Sequence, residues 1–165
     1  MSGTREVRYY DYVNASYARV GDVLRRDLLA VCRTATKTAA ARAASVASEL
    51  HLNVGGFEIG TDIAIALGPV QERTADAKAP ATTTFPLEWQ AASLPRLFPF
   101  MHAQLIVYAL TPTETQLELV GRYDPPLGAV GAALDALVGH RIADASVHRF
   151  LSEIAAHLRQ TLAAG

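Results

Sequence analysis

Three polar residues recur at four-residue intervals near the C-terminus: His140, Asp144 and His148. On a helix that spacing places them along one side, as a His-Asp-His metal or acid/base group would require, but it is equally the pattern of a solvated helix flank. Arg141 shares a helical face with Leu134, Leu137 and Ala145. A cation so placed either meets a ligand carboxylate or a protein acid, or packs its stem and lifts its head to water. His51 and His102 are the strand-borne candidates for proton transfer, whereas Glu49, Glu58, Asp62 and Glu88 alternate opposite apolar residues and are expected to face water. Trp89 and Tyr123 each join a large apolar body to one hydrogen-bonding tip, which suits a mostly apolar pocket that must orient its ligand. The chain has no phosphate-cradling glycine loop, no Gly-x-Ser-x-Gly elbow and no His-Glu-x-x-His pair. Its one cysteine, Cys32, excludes an internal disulfide framework or a multi-cysteine zinc site and reads as a small buried apolar residue. These residues call for no metal and no cofactor.

The elements that must position them belong to one domain spanning all 165 residues. Hydrophobic residues make up 50% of the chain and charged ones only 19%, against about 25% charged in an ordinary soluble domain. Alanine at 30 positions dilutes the apolar share, yet the charge deficit still implies surface hidden from water by a pocket or a partner. A net charge of -1 supplies no field for phosphates and argues against nonspecific nucleic-acid binding. No window approaches eighteen uninterrupted apolar residues, so no transmembrane helix is expected. The first residues lack the apolar stretch of an export signal, which places the protein in the cytoplasm.

Residues 6–14, rich in Val and Tyr, suit a first strand. Val20, Val23, Leu24, Leu28 and Val31 then recur at helical spacing, with Arg25 and Arg26 opposite and Asn14 or Ser16 available as the cap. The Thr- and Ala-rich stretch 33–44 reads as a second short helix or an irregular link, its cations Arg33, Lys37 and Arg42 forming a solvated face. From Ser45 the period changes to two, with a strand to Val54, a Gly55-Gly56 turn and a return strand to Leu67. A short polar edge strand over 70–74 follows, then strands over about 82–91, 100–110 and 115–124. The last stretch, 127–162, is helical, with a slip of hydrophobic phase that suggests a break near Ala145 or two halves with different neighbours.

Leu97-Phe98-Pro99-Phe100, the strand pair after it, and Gly121-Arg122-Tyr123-Asp124-Pro125-Pro126-Leu127-Gly128 with Gly131, Leu134 and Asp135 resemble bacterial members of the START-like superfamily. This group is also called the polyketide cyclase/dehydrase and lipid transport (SRPBCC) superfamily. The segment order is similar along the whole chain, the residue-level likeness only over about the last 70 positions. The resemblance implies an α+β helix-grip fold: a curved antiparallel sheet of about seven strands wrapped around a long C-terminal helix, in the order strand, two helices, six strands, helix. It also implies a deep apolar cavity for lipids, polyketides or other small hydrophobic molecules, with no universal catalytic residues to carry over.

Alternation along the strands supplies the cavity walls, with Phe57, Phe85, Trp89, Met101, Leu105 and Tyr123, joined by Arg141, as the ligand-binding set. Ala103 and Gly121 make room among large neighbours. The leading reading is a binding or carrier protein for a small hydrophobic ligand. The alternative is a polyketide cyclase/aromatase-type enzyme using His51, His102 or Arg141. A second alternative is a homodimeric interaction module with a filled core, meeting its partner through the apolar, proline-stiffened loop Leu94 to Phe100.

Overall fold

A computed structural model describes residues 4–49, 63–91, 101–123 and 132–164. The chain opens with strand β1 (Arg5–Val13), which passes at once into helix α1 (Tyr17–Glu49). Ser16 caps that helix: its Oγ accepts from the Arg19 amide at 3.4 Å, while its carbonyl accepts from Val20 at 3.0 Å. Val20, Val23, Leu24, Leu28 and Val31 are all buried, and Arg25 and Arg26 project to solvent, as their spacing requires.

α1 is one unbroken helix, where a short second helix or irregular link was expected after Arg33. The stretch holds neither Gly nor Pro. Its threonines are compatible with a helix because Thr34, Thr36 and Thr38 turn their hydroxyls onto carbonyls three or four residues back, those of Ala30, Arg33 and Thr34. The helix continues through Glu49, so residues 45–49 are not the start of a strand. Alanine, the strongest helix former, outweighs the short alternation there. The Gly55-Gly56 turn and the rest of that expected strand lie outside the described residues.

The remaining strands are β2 (Ile63–Leu67), β3 (Gln71–Arg73), β4 (Thr82–Ala91), β5 (Met101–Thr111) and β6 (Glu114–Tyr123), followed by helix α2 (Ala132–Ala163). They form a six-stranded, wholly antiparallel sheet in the order β1-β6-β5-β4-β2, with β3 also on β4. β2 and β3 share one side of β4. The gap between them lies at Pro86, whose ring leaves no amide to donate; its carbonyl instead accepts from Gly68 at 2.9 Å. A Cβ on Gly68 would come within 2.9 Å of the Pro86 ring, so the crossing needs glycine there. α2 runs without interruption through Ala145, so of the two readings of its phase slip the break is excluded; the helix packs against both α1 and β1.

Odd-numbered strand residues face the helices: Val7 and Val13, Phe85 and Leu87, Met101 to Val107, Leu117 to Tyr123. With Phe150, Leu151, Ile154 and Leu158 of α2 and the apolar face of α1 they make one core. Even-numbered residues form the outer face, where Glu6, Arg122, His102 and Glu88 stand side by side across four strands.

Candidate functional site

One inner row crosses the sheet at the end of the strands farthest from the Ser16 cap. Register places Arg5 beside Tyr123, Tyr123 beside Met101, Met101 beside Trp89 and Trp89 beside Ile65. Three residues chosen from sequence as ligand contacts, Trp89, Met101 and Tyr123, are therefore neighbours on successive strands. Trp89 also meets Phe150 of α2, ring centroids 5.0 Å apart and planes tilted by 46°. The next row inward reads Leu67, Leu87, Ala103, Gly121 and Val7, and the third includes Phe85, Leu105, Leu119 and Tyr9. Phe85 and Leu105 are fully buried in that third row, deeper along the strands than Trp89.

The room left by Gly121 is taken. A Cβ built there would lie 2.5 Å from the Met101 sulfur and 3.3 Å from Val7. The thioether therefore folds over the glycine, and the space expected from the small residue belongs to Met101. A flexible, unbranched side chain is suited to that position, since it can change rotamer as its neighbours change.

Tyr123 carries the polar feature of the row. The residue is 1% exposed, and its hydroxyl has no partner of good hydrogen-bond geometry among the described residues. Burial pushes the phenol above its ordinary pKa, while the charge of the nearby Arg5 guanidinium and a hydrogen bond with it pull the other way, so the group stays neutral at physiological pH. Arg5 shares the inner parity of Val7 and Tyr9. The sequence reading began the strand at residue 6 and missed it, although counting back two from Val7 identifies the position.

The other candidates fall elsewhere. Phe57 and His51 lie outside the described residues. Arg141 is exposed on α2. His102 faces outward, its Nδ1 3.0 Å from Glu88 Oε1, in a groove of about 530 Å³ on the outer sheet face, where Arg8, Glu6 and Arg122 also stand. That takes His102 away from any chemistry between sheet and helix. His148 lies edge-on to Tyr9 at 5.6 Å, and among the described residues no three His, Cys, Asp or Glu side chains gather as metal ligands. Cys32 is buried and its thiol is pushed up to about 12, which suits a core residue and not a nucleophile. A cleft of about 300 Å³ between α1 and α2, holding Asp27 and His157 with Nε2 to Oδ2 3.4 Å, had no sequence signal because 130 residues separate the pair.

A protein comparable along nearly its whole length has the same architecture. The Zhui aromatase/cyclase of a Streptomyces species superposes with a TM-score of 0.51, at 13% identity, covering 99% of each chain. The chain has a helix-grip fold. A protein of Thermus thermophilus aligns at 16% identity over 98% of this chain and 99% of its own, with a TM-score of 0.48. No protein-family model and no curated protein sequence matches the chain. At 13% identity the likeness to the aromatase/cyclase shows the fold alone and leaves the ligand to be argued from the side chains. Among the described residues no helix is long and apolar enough to cross a membrane.

Proposed function

We propose that the protein binds a small hydrophobic molecule between the inner sheet face and α2, at the end of the strands marked by Trp89, Met101 and Tyr123. The observation that carries this reading is the register: two aromatic side chains flank a flexible thioether on three successive strands, all facing inward. Such a row offers a large apolar contact area with a single fixed polar tip, the composition of a site for a hydrophobic ligand. The charge deficit of the chain fits the same reading, because an apolar site hides surface that would otherwise need polar cover.

Native mass spectrometry of freshly purified protein, with extraction and identification of bound molecules, tests it. A copurifying hydrophobic molecule, or one bound from a broad lipid and polyketide panel, supports the proposal; an empty protein that binds nothing from the panel overturns it. Trp89→Ala should weaken that binding by about tenfold or more, the loss expected for a well-packed aromatic anchor.

A cyclase-type reaction is the second reading, favoured by the shared architecture with an aromatase/cyclase. With His102 on the outer face and Arg141 exposed, its proton-transfer groups reduce to Tyr123 and Arg5 among the described residues at this end. Conversion of a linear poly-β-ketone to a cyclic product, lost in Tyr123→Phe while binding persists, would establish it over simple carriage.

A further inference from the structure

β1 stands at one edge of the sheet, with β6 on one side and no strand on the other among the described residues. Such an edge presents a row of backbone amides and carbonyls that a protein covers, blunts or pairs. Their direction follows from Tyr12. Its amide donates to Asp11 Oδ1 at 2.8 Å and its carbonyl accepts from Arg159 Nη2 at 2.6 Å, so both point away from β6. In an antiparallel ladder that direction alternates from residue to residue. The β1–β6 register is unbroken from Arg5–Tyr123 to Val13–Thr115, so Tyr10, Arg8 and Glu6 also turn their backbone groups off the sheet.

The two halves of this edge are finished differently. At the Val13 end Arg159 of α2 closes it, donating to Asp11 Oδ1 at 2.6 Å as well as to the Tyr12 carbonyl and lying 5.9 Å from the centre of the Tyr12 ring. At the Arg5 end no hydrogen bond from that side reaches the backbone of Glu6, Arg8 or Tyr10 among the described residues.

The side chains select the occupant. Two copies of β1 that meet antiparallel with their open positions opposed have three registers to choose from. One centred on Arg8 sets guanidinium against guanidinium, and one centred on Tyr9 sets Glu6 against Tyr12, which Arg159 closes. Centred on Val7, each Glu6 lies directly opposite an Arg8, twice over. Glu6 and Arg8 share one face and already lie 3.6 Å apart within a copy. The two pairs therefore make a square of alternating charge.

We propose that the open half of β1 pairs with β1 of a second copy of this chain, antiparallel about a two-fold axis at Val7, joining the two sheets into one. The inference is independent of the ligand reading, since the surface is the strand edge and not the inner face.

Sedimentation equilibrium over a concentration series, with thermal melts to confirm folding, tests it. Wild type should dimerise reversibly, and Glu6→Lys and Arg8→Glu should each weaken the dimer by about tenfold or more, because each change sets like charges opposite one another twice. An equimolar mixture of the two variants should recover most of the wild-type strength. The lysine of one then faces the glutamate of the other, and the remaining Arg8 faces the remaining Glu6. Arg8→Glu also sets a second carboxylate beside Glu118. Should it fail to fold, Glu6→Pro takes its place: a proline there gives up an edge-facing amide and no bond to β6, so the variant should fold and lose the dimer by a similar factor. A wild type that stays monomeric throughout overturns the proposal, as do folded variants that dimerise like wild type, or a mixture of folded variants that stays apart while wild type pairs.

Discussion

The two ends of the strands treat buried polar groups in opposite ways. At the end near the Ser16 cap, Tyr17 crosses from α1 to Thr83 on β4, and Thr115 on β6 ties back to the Ala15 carbonyl, so the hydroxyls there join elements together. Thr83 and Thr115 are 0% exposed. Leu117, Ile154 and Leu158 fill the same core. At the other end Tyr123 is as well buried, and its hydroxyl has the Arg5 guanidinium of β1 beside it but no partner of good hydrogen-bond geometry among the described residues. The same sheet and the same two helices thus carry a self-sufficient core at one end and an incomplete one at the other. Burial alone does not tell them apart; the fate of each polar atom does.

The contrast can be attacked in order of expected effect. Leu158→Ala, at the filled end, should cost about 2–5 kcal/mol in urea unfolding and leave ligand affinity nearly unchanged in the folded protein; a loss of affinity comparable to that of Trp89→Ala would show that the ends are not separate. Gly121→Ala forces its new methyl against the Met101 sulfur and Val7. It should cost about 1–3 kcal/mol, and much of that should return in Gly121→Ala/Met101→Ala if the thioether is what is displaced. Two conservative changes then give opposite signs. Tyr17→Phe strands the fully buried Thr83 hydroxyl and should destabilise by about 1–3 kcal/mol, whereas Tyr123→Phe removes an unmet group and should be neutral or stabilising in thermal melts. Equal losses for both would erase the distinction.

The smallest effect lies away from both ends. Hydrogen bonding to Arg26 first, and to His157 as well, holds the Asp27 carboxyl below its ordinary range against a smaller opposing effect of desolvation. A lowered folded-state value means that this contribution is present above the ordinary carboxylate range and is lost as pH falls through the lowered value. Asp27→Asn should therefore be less stable than wild type near neutrality, with the gap closing as pH falls through and below the ordinary carboxylate range.

Much of this was legible beforehand because strand alternation is a strong signal. Phe85-Pro86-Leu87-Glu88-Trp89 and Met101 through Val107 name their inner faces without help, and the order of segments was enough to suggest the architecture. Misreadings arose where local pattern and propensity disagreed. Val46 and Glu49 sit in a short alternation that an alanine-rich helix overrides. His102 was a proton-transfer candidate because a histidine suits either face of a strand, and the register with Glu88 and Arg122 puts it on the outer one. Arg5 was passed over because the strand was begun one residue late. The covering of Gly121 by Met101 was invisible for a different reason: it depends on a side-chain rotamer, which sequence spacing does not encode.

Pro86 matters to the sheet beyond its missing amide. Because β2 and β3 hold the same side of β4 in two separate pieces, with the Gly68 to Pro86 link between them, that flank of β4 is covered by two short ladders of five and three residue pairs. The other flank pairs with β5 without a break from Thr82 to Trp89, so the cover is divided while the strand beneath it stays in one piece.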